Sequence, residues 1–276
     1  MSLVAATLSP RTEEFTPPGP GDFNLPPVGP DNTFEFLGQT MYLGVTKPII
    51  MLVLSAVLIF VFFRAAAAQR AMVPGKLQFV GEQLYGSVRN GLGRDIIGSH
   101  DFQRFVPYLF TLFFFILVNN FFGSLPFIQF PTFSRSGMVY SLAFLSWLIY
   151  NYVGIRAKGG VLAYLKHQSV PQGVPTAVLP LLIPLEFMSN ILVRPVTLAL
   201  RLFANMLAGH LLLILFALGG EYLLVHGAML VKPVGIFAWV LFIAISFLEL
   251  LIQFLQAYVF VLLNAMYISG ALADEH

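Results

Sequence analysis

Residues 177–218 read AVLPLLIPLEFMSNILVRPVTLALRLFANMLAGHLLLILFAL, forty-two residues with only four ionisable side chains: Glu186, Arg194, Arg201 and His210. As one helix this stretch would be about 63 Å long, twice the roughly 30 Å hydrocarbon thickness of a bilayer. Residues 234–268 pose the same problem over thirty-five residues, with Glu249 as the lone charged group. Both segments must break, extend beyond the hydrocarbon, or lie tilted. Residues 47–63, 105–125 and 138–155 are shorter apolar stretches that each fit one crossing. The expected fold is all-α and polytopic, with about five membrane-crossing helices.

The composition agrees. The chain of 276 residues is 58% hydrophobic and 10% charged, against about 25% charged in soluble domains. No cysteine is present, which excludes disulfides, thiol nucleophiles and cysteine-ligated metals. Residues 1–40 form a separate arm. It carries Glu13 and Glu14 and no apolar run, so it does not read as a signal peptide. Seven prolines and three glycines between residues 10 and 30 make it extended or disordered. The transmembrane domain is expected over 41–276.

Basic residues give the orientation. Arg64, Arg70, Lys76, Arg89, Arg94, Arg104, Arg156, Lys158 and Lys166 fall in connections on one side, and Arg11, Lys47, Arg135 and Lys232 on the other. The positive-inside bias places the arm outside and Asp274-Glu275-His276 in the cytoplasm. Within the first inner connection, Leu77, Val80, Leu84, Val88, Leu92 and Ile96 fall at helical spacing behind Pro74. They describe an amphipathic helix at the cytoplasmic interface, with Lys76, Arg89 and Arg94 near the headgroups.

Charges inside apolar segments are costly and point to function. On a helix, Arg194, Arg201 and Asn205 share one face, flanked by Ala204 and Ala208 at a spacing that admits a close partner. His210 points the opposite way, back into the protein. Glu249, Gln253, Gln256 and Tyr267 fall in one stripe, with Ser246 and Asn264 beside it. A carboxylate on such a stripe reads as the lining of a narrow proton path. The bland reading is polar glue between helices. The sequence contains no phosphate-loop, zinc or nucleic-acid motif, and no cofactor, metal or nucleic-acid partner is expected.

The run from Arg194 through Pro195, Arg201 and Asn205 to His210 resembles the signature of the a subunit family of rotary F-type ATP synthases, bacterial type. Glu249-Leu-Leu-Ile-Gln253-Phe-Leu-Gln256 resembles the family's second signature, and residues 73–78 (VPGKLQ) its cytoplasmic connection. The resemblance covers about residues 40–273. It implies a non-catalytic proton-translocating stator subunit in the bacterial cell membrane. Its last two helices would lie steeply tilted against a ring of c subunits. Arg201 would be the essential arginine facing that ring, with Asn205, His210, Glu249 and Gln256 in the outer half-channel and Glu186 in the cytoplasmic one. Glu186 stands one residue further from Pro195 than in some relatives. The partners implied are the c-ring, peripheral-stalk b subunits, other synthase subunits and lipid. A proton-coupled secondary transporter is the alternative, but the chain lacks the paired internal repeats common in that class.

Overall fold

The computed structural model describes residues 15, 17–19, 33–36, 39–42, 45–68, 74–125, 132–169 and 178–272. Among the described residues, five helical segments are long and apolar enough to cross a membrane. They are α1 (Lys47–Ala68), α4 (Phe102–Ser124), α5 (Ser136–Ala157), the continuous helix Leu179–Val225 and α9 (Lys232–Leu272). The fourth consists of α7 (Leu179–Phe187), a π-helical turn Met188–Val193 and α8 (Arg194–Val225). Between the spans lie α2 (Lys76–Ser87), a π-helical stretch Val88–Arg94, α3 (Asp95–Ile97) and α6 (Val161–Ser169).

Neither long segment breaks. A 41-residue helix is about 62 Å long. Its exposed apolar residues run from Val234 through Phe237, Phe247 and Phe254 to Met266, so it cannot stand out in water. Fitting α9 within about 30 Å of hydrocarbon requires a lean of about 60° from the membrane normal. α8 packs along it and leans with it.

The core is where α4 meets α8 and α9. Leu109 and Ile116 of α4, Ala199 and Leu202 of α8, and Ala257, Phe260, Val261 and Ala265 of α9 are buried and packed together. α1 is the least buried span. It is tied to α4 by Asn119, whose Nδ2 donates to Ser55 Oγ at 2.8 Å.

The interfacial helix forms as the spacing predicts, in two halves. Val88 and Leu92 are buried and Leu84 and Ile96 half-buried, whereas Leu77 and Val80 are exposed. An apolar yet uncovered first half suits a helix lying against headgroups. Two of its glycines are points of contact. A Cβ on Gly81 would lie 2.8 Å from Ala66 Cβ of α1, and one on Gly93 would lie 3.1 Å from Val106 of α4. Arg89 lies over the Phe102 ring, 5.6 Å from its centre.

One element was not foreseen. Strands β1 (Thr33–Phe36) and β2 (Gln39–Tyr42) pair antiparallel, with Phe34 opposite Met41, and this hairpin spans the expected boundary at residue 40. The body after it is helical throughout its described residues. Of the Pro-rich arm, Phe15 packs on the end of α8, its ring 5.5 Å from Tyr222, which stacks on His226 at 5.2 Å. Most of the arm, Arg11, Arg70 and the C-terminal triplet lie outside the described residues.

Gly81→Val should overpack the α1–α2 contact at a cost of about 1–3 kcal/mol. The expected result is a lower thermal midpoint for the assembled complex, whereas Gly86→Ala, with open space at its Cβ, should leave it unchanged.

Candidate functional site

α8 has two opposed faces. Arg201, Ala204 and Ala208 are exposed, while Leu202, Met206 and His210 are buried. The sequence expectation that His210 turns away from Arg201 therefore holds. Asn205 sits between the two faces, half-buried, with its Nδ2 3.5 Å from Gln256 Oε1 of α9.

The inward face meets a buried polar line on α9. Glu249, Gln253 and Gln256 are all buried, as their spacing of four and three residues along one side of a helix dictates. Gln253 Nε2 donates to Glu249 Oε1 at 3.4 Å. The carboxyl of Glu249 rests directly on Gly209, where any Cβ would occupy its place. Gly209 precedes His210, so the carboxylate sits beside the backbone of the buried histidine.

α4 completes the group with two residues the sequence reading missed. Asn120 Nδ2 donates to the Gln253 carbonyl at 3.1 Å, and Ser124 Oγ donates to Gln253 Oε1 at 3.0 Å. Ser124 is the last residue of α4 and is half-exposed, so it forms the open end of the line. Asn120, Asn205, Glu249, Gln253 and Gln256 surround a cavity of about 10 Å³, enough for one water. Asn120 Oδ1 and Gln256 Nε2, buried at this site, find no partner among the described residues. A water there would satisfy groups that the helices leave open.

Tyr267 does not join this line. It shares an angular position with Glu249, but eighteen residues of helix put it about 27 Å further along the axis. It belongs to a second cluster. The Arg194 guanidinium lies 5.0 Å from the centre of its ring, and Tyr150 of α5 packs on it at 5.3 Å. Glu186 is near this end. Asn190 Nδ2 donates to Glu186 Oε2 at 3.0 Å and to the Gln168 carbonyl at 2.7 Å. Tyr164 of α6 is buried against Gly154 of α5 and accepts from Gln168 Nε2 at 3.0 Å. Burial pushes its phenol above the ordinary value, so it stays protonated. Further along, Tyr108 Oη donates to Ser146 Oγ at 3.1 Å. Glu249 and Glu186 thus lie in two separate polar regions, with the exposed Arg201 between them along the helix.

A polytopic helical chain with a buried polar line holding one carboxylate on one side of a long helix pair and an uncovered arginine on the other has the build of an integral membrane protein with ionisable groups inside its spans. The chain belongs to the ATP synthase A chain family, whose model matches residues 49–269. It is similar to the ATP synthase subunit a of Nocardioides sp. (strain JS614), 72% identical over the whole of both chains. It is 49% identical to that of Pseudarthrobacter chlorophenolicus, over 95% of this chain and 96% of the other. To that of Streptomyces lividans it is 35% identical, over 95% and 89%.

Gly209→Ala should push the Glu249 carboxyl off its seat. The expected outcome is at least a tenfold loss of ATP-driven acidification in inverted membrane vesicles with the complex assembled. Gly219→Ala is the control, because among the described residues a Cβ there meets only the Phe15 ring at 3.8 Å, and near-normal acidification is expected from it.

Proposed function

We propose that this chain is the proton-conducting stator subunit of the Fo sector of a rotary ATP synthase, itself non-catalytic. The observation that carries the reading is the two-sidedness of α8. Arg201 lies uncovered beside Ala204 and Ala208, while His210 is buried on the opposite face, next to Gly209, on which the Glu249 carboxyl rests. An arginine exposed on a hydrocarbon-facing helix is costly, and a partner bearing carboxylates removes the cost. That partner is a ring of c subunits.

Two half-channels follow from the two polar regions. The outer one opens at Ser124 and runs by Gln253, Glu249 and the small cavity to Asn205 and Gln256, with His210 beside it. The inner one is built around Glu186, and Tyr267 with Arg194 stands at its side. A guanidinium is always charged in proteins, so Arg201 is a fixed positive charge. It attracts a passing ring carboxylate and favours its ionised form. A ring site therefore releases its proton on the inner side before reaching Arg201 and reloads from the outer side after passing. The fixed charge also blocks a direct leak between the paths. Each proton crossing 100 mV delivers about 2.3 kcal/mol, which ring rotation carries to the catalytic head.

The basic residues orient this machine in a bacterial cell membrane. The arm of residues 1–40 and the Ser124 end are outside, the transmembrane domain spans residues 41–276, and the C-terminus is cytoplasmic. Peripheral-stalk b subunits hold the chain against the torque of the ring.

Arg201→Ala in assembled complexes should abolish proton-driven ATP synthesis. Arg201→Lys should come close to doing so, because lysine keeps the charge but loses the rigid, permanently protonated fork. Normal synthesis by the Ala variant would sink the reading. The chain contains no cysteine, so Ala204→Cys and Ala208→Cys are clean probes of facing. Disulfide crosslinks to the outer helix of the c subunit are expected, and crosslinks confined to this chain would contradict the facing.

The Glu249 line also distinguishes a relay from a static buried pair. Apolar replacement of a buried polar pair often preserves stability. His210→Leu with Glu249→Leu should therefore assemble yet fail to pump, and wild-type pumping from that double variant would leave only the static role.

A further inference from the structure

The helix Leu179–Val225 contains one irregular turn. Met188–Val193 is π-helical, and the Arg194 N–H donates to the Ser189 carbonyl five residues back. Pro195 follows at once and has no N–H. In a regular α-helix the Ile191 carbonyl would accept from residue 195, and here that donor does not exist. Trp147 of α5 supplies the missing group: its indole Nε1 donates to the Ile191 carbonyl at 2.8 Å.

The turn also changes which residues share a face. A π-turn takes up one residue more than an α-turn. With regular geometry throughout, Glu186 would lie about 80° around the helix from Arg194. With one residue absorbed, the offset falls to about 20°. Arg201 is seven residues beyond Arg194, again about 20° away. Glu186, Arg194 and Arg201 then lie within about 40° of one another. Asn190, inside the turn, holds the Glu186 carboxylate and ties it to the Gln168 carbonyl.

We infer that Trp147 is a positioning residue: by capping the carbonyl that Pro195 orphans, it holds a π-turn that sets Glu186 in line with Arg194 and Arg201. This rests on the inner path proposed through Glu186.

ATP-driven proton pumping in inverted vesicles, normalised to assembled complex, tests the inference. Trp147→Phe keeps the aromatic ring and removes the donor, and at least a fivefold loss of pumping is expected. Pro195→Ala restores a backbone N–H at residue 195. Trp147→Phe combined with Pro195→Ala should therefore recover to within twofold of Pro195→Ala alone, and absence of rescue overturns the capping role. Deleting Met188 should close the π-turn to a regular turn with Glu186 still in phase, so at least half the pumping should remain. Inserting an alanine after Met188 turns Glu186 by about 100°, and at least a tenfold loss is expected. A deletion as damaging as the insertion, or a tolerated insertion, overturns the register. If Trp147→Phe does not assemble, the deletion and insertion carry the test. Glu186→Gln reports on the underlying reading. Wild-type pumping from it removes the inner path and the inference with it, whereas loss in Glu186→Gln with the insertion tolerated removes the register alone.

Discussion

Hydrocarbon offers a polypeptide no hydrogen bonds, and most of this structure follows from that constraint. Hydroxyls and amides inside the spans turn back on their own helices. Ser141 donates to the Gly137 carbonyl, Thr111 to that of Pro107, Ser246 to that of Phe242 and Asn264 to that of Phe260. Others bridge helices, as Asn119 does to Ser55 and Tyr108 to Ser146. Polar groups left open at the Glu249 cavity therefore stand out. Asn120, Ser124 and Glu249 all bond to Gln253, yet beside them one acceptor, Asn120 Oδ1, and one donor, Gln256 Nε2, find no partner among the described residues.

The same constraint explains how closely the elements approach. A carboxyl can be buried between α8 and α9 only if the two helices meet without a side chain in the way, and Gly209 provides the gap. At the far end of the same helix pair, Gly220 receives the edge of the Trp239 indole. Close backbone approach is a common way to bind helices in lipid, where burying apolar surface gains little. Here it also fixes the carboxylate against one rigid wall, leaving its other side to Gln253.

Much of the architecture was legible in the sequence because spans of about twenty apolar residues have few other uses. The opposition of Arg201 and His210 was legible too, since nine residues of regular helix place two side chains on opposite sides. Tyr267 shows the limit of that projection. Angular agreement with Glu249 hid an axial distance of about 27 Å. Asn120 carried a usable signal, as one of two adjacent amides in an otherwise apolar span, but Gly209 carried none. The π-turn left only Pro195 as a trace, whose orphaned carbonyl is met by a tryptophan forty-four residues earlier in the chain than Ile191. In the β1–β2 hairpin only β1, Thr33-Phe34-Glu35-Phe36, alternates polar and apolar residues, too short a signal beside the proline-rich arm.

The bare arginine face of α8 also bears on how such a protein is made. With nothing over that face, Arg201 is presented to lipid on an otherwise apolar helix, at a cost of about 3 kcal/mol or more. The finished fold is thus less comfortable alone than in company. On the reading proposed above, surplus copies would carry that cost until a partner covers the face, so the amount of this chain that survives should follow the supply of that partner.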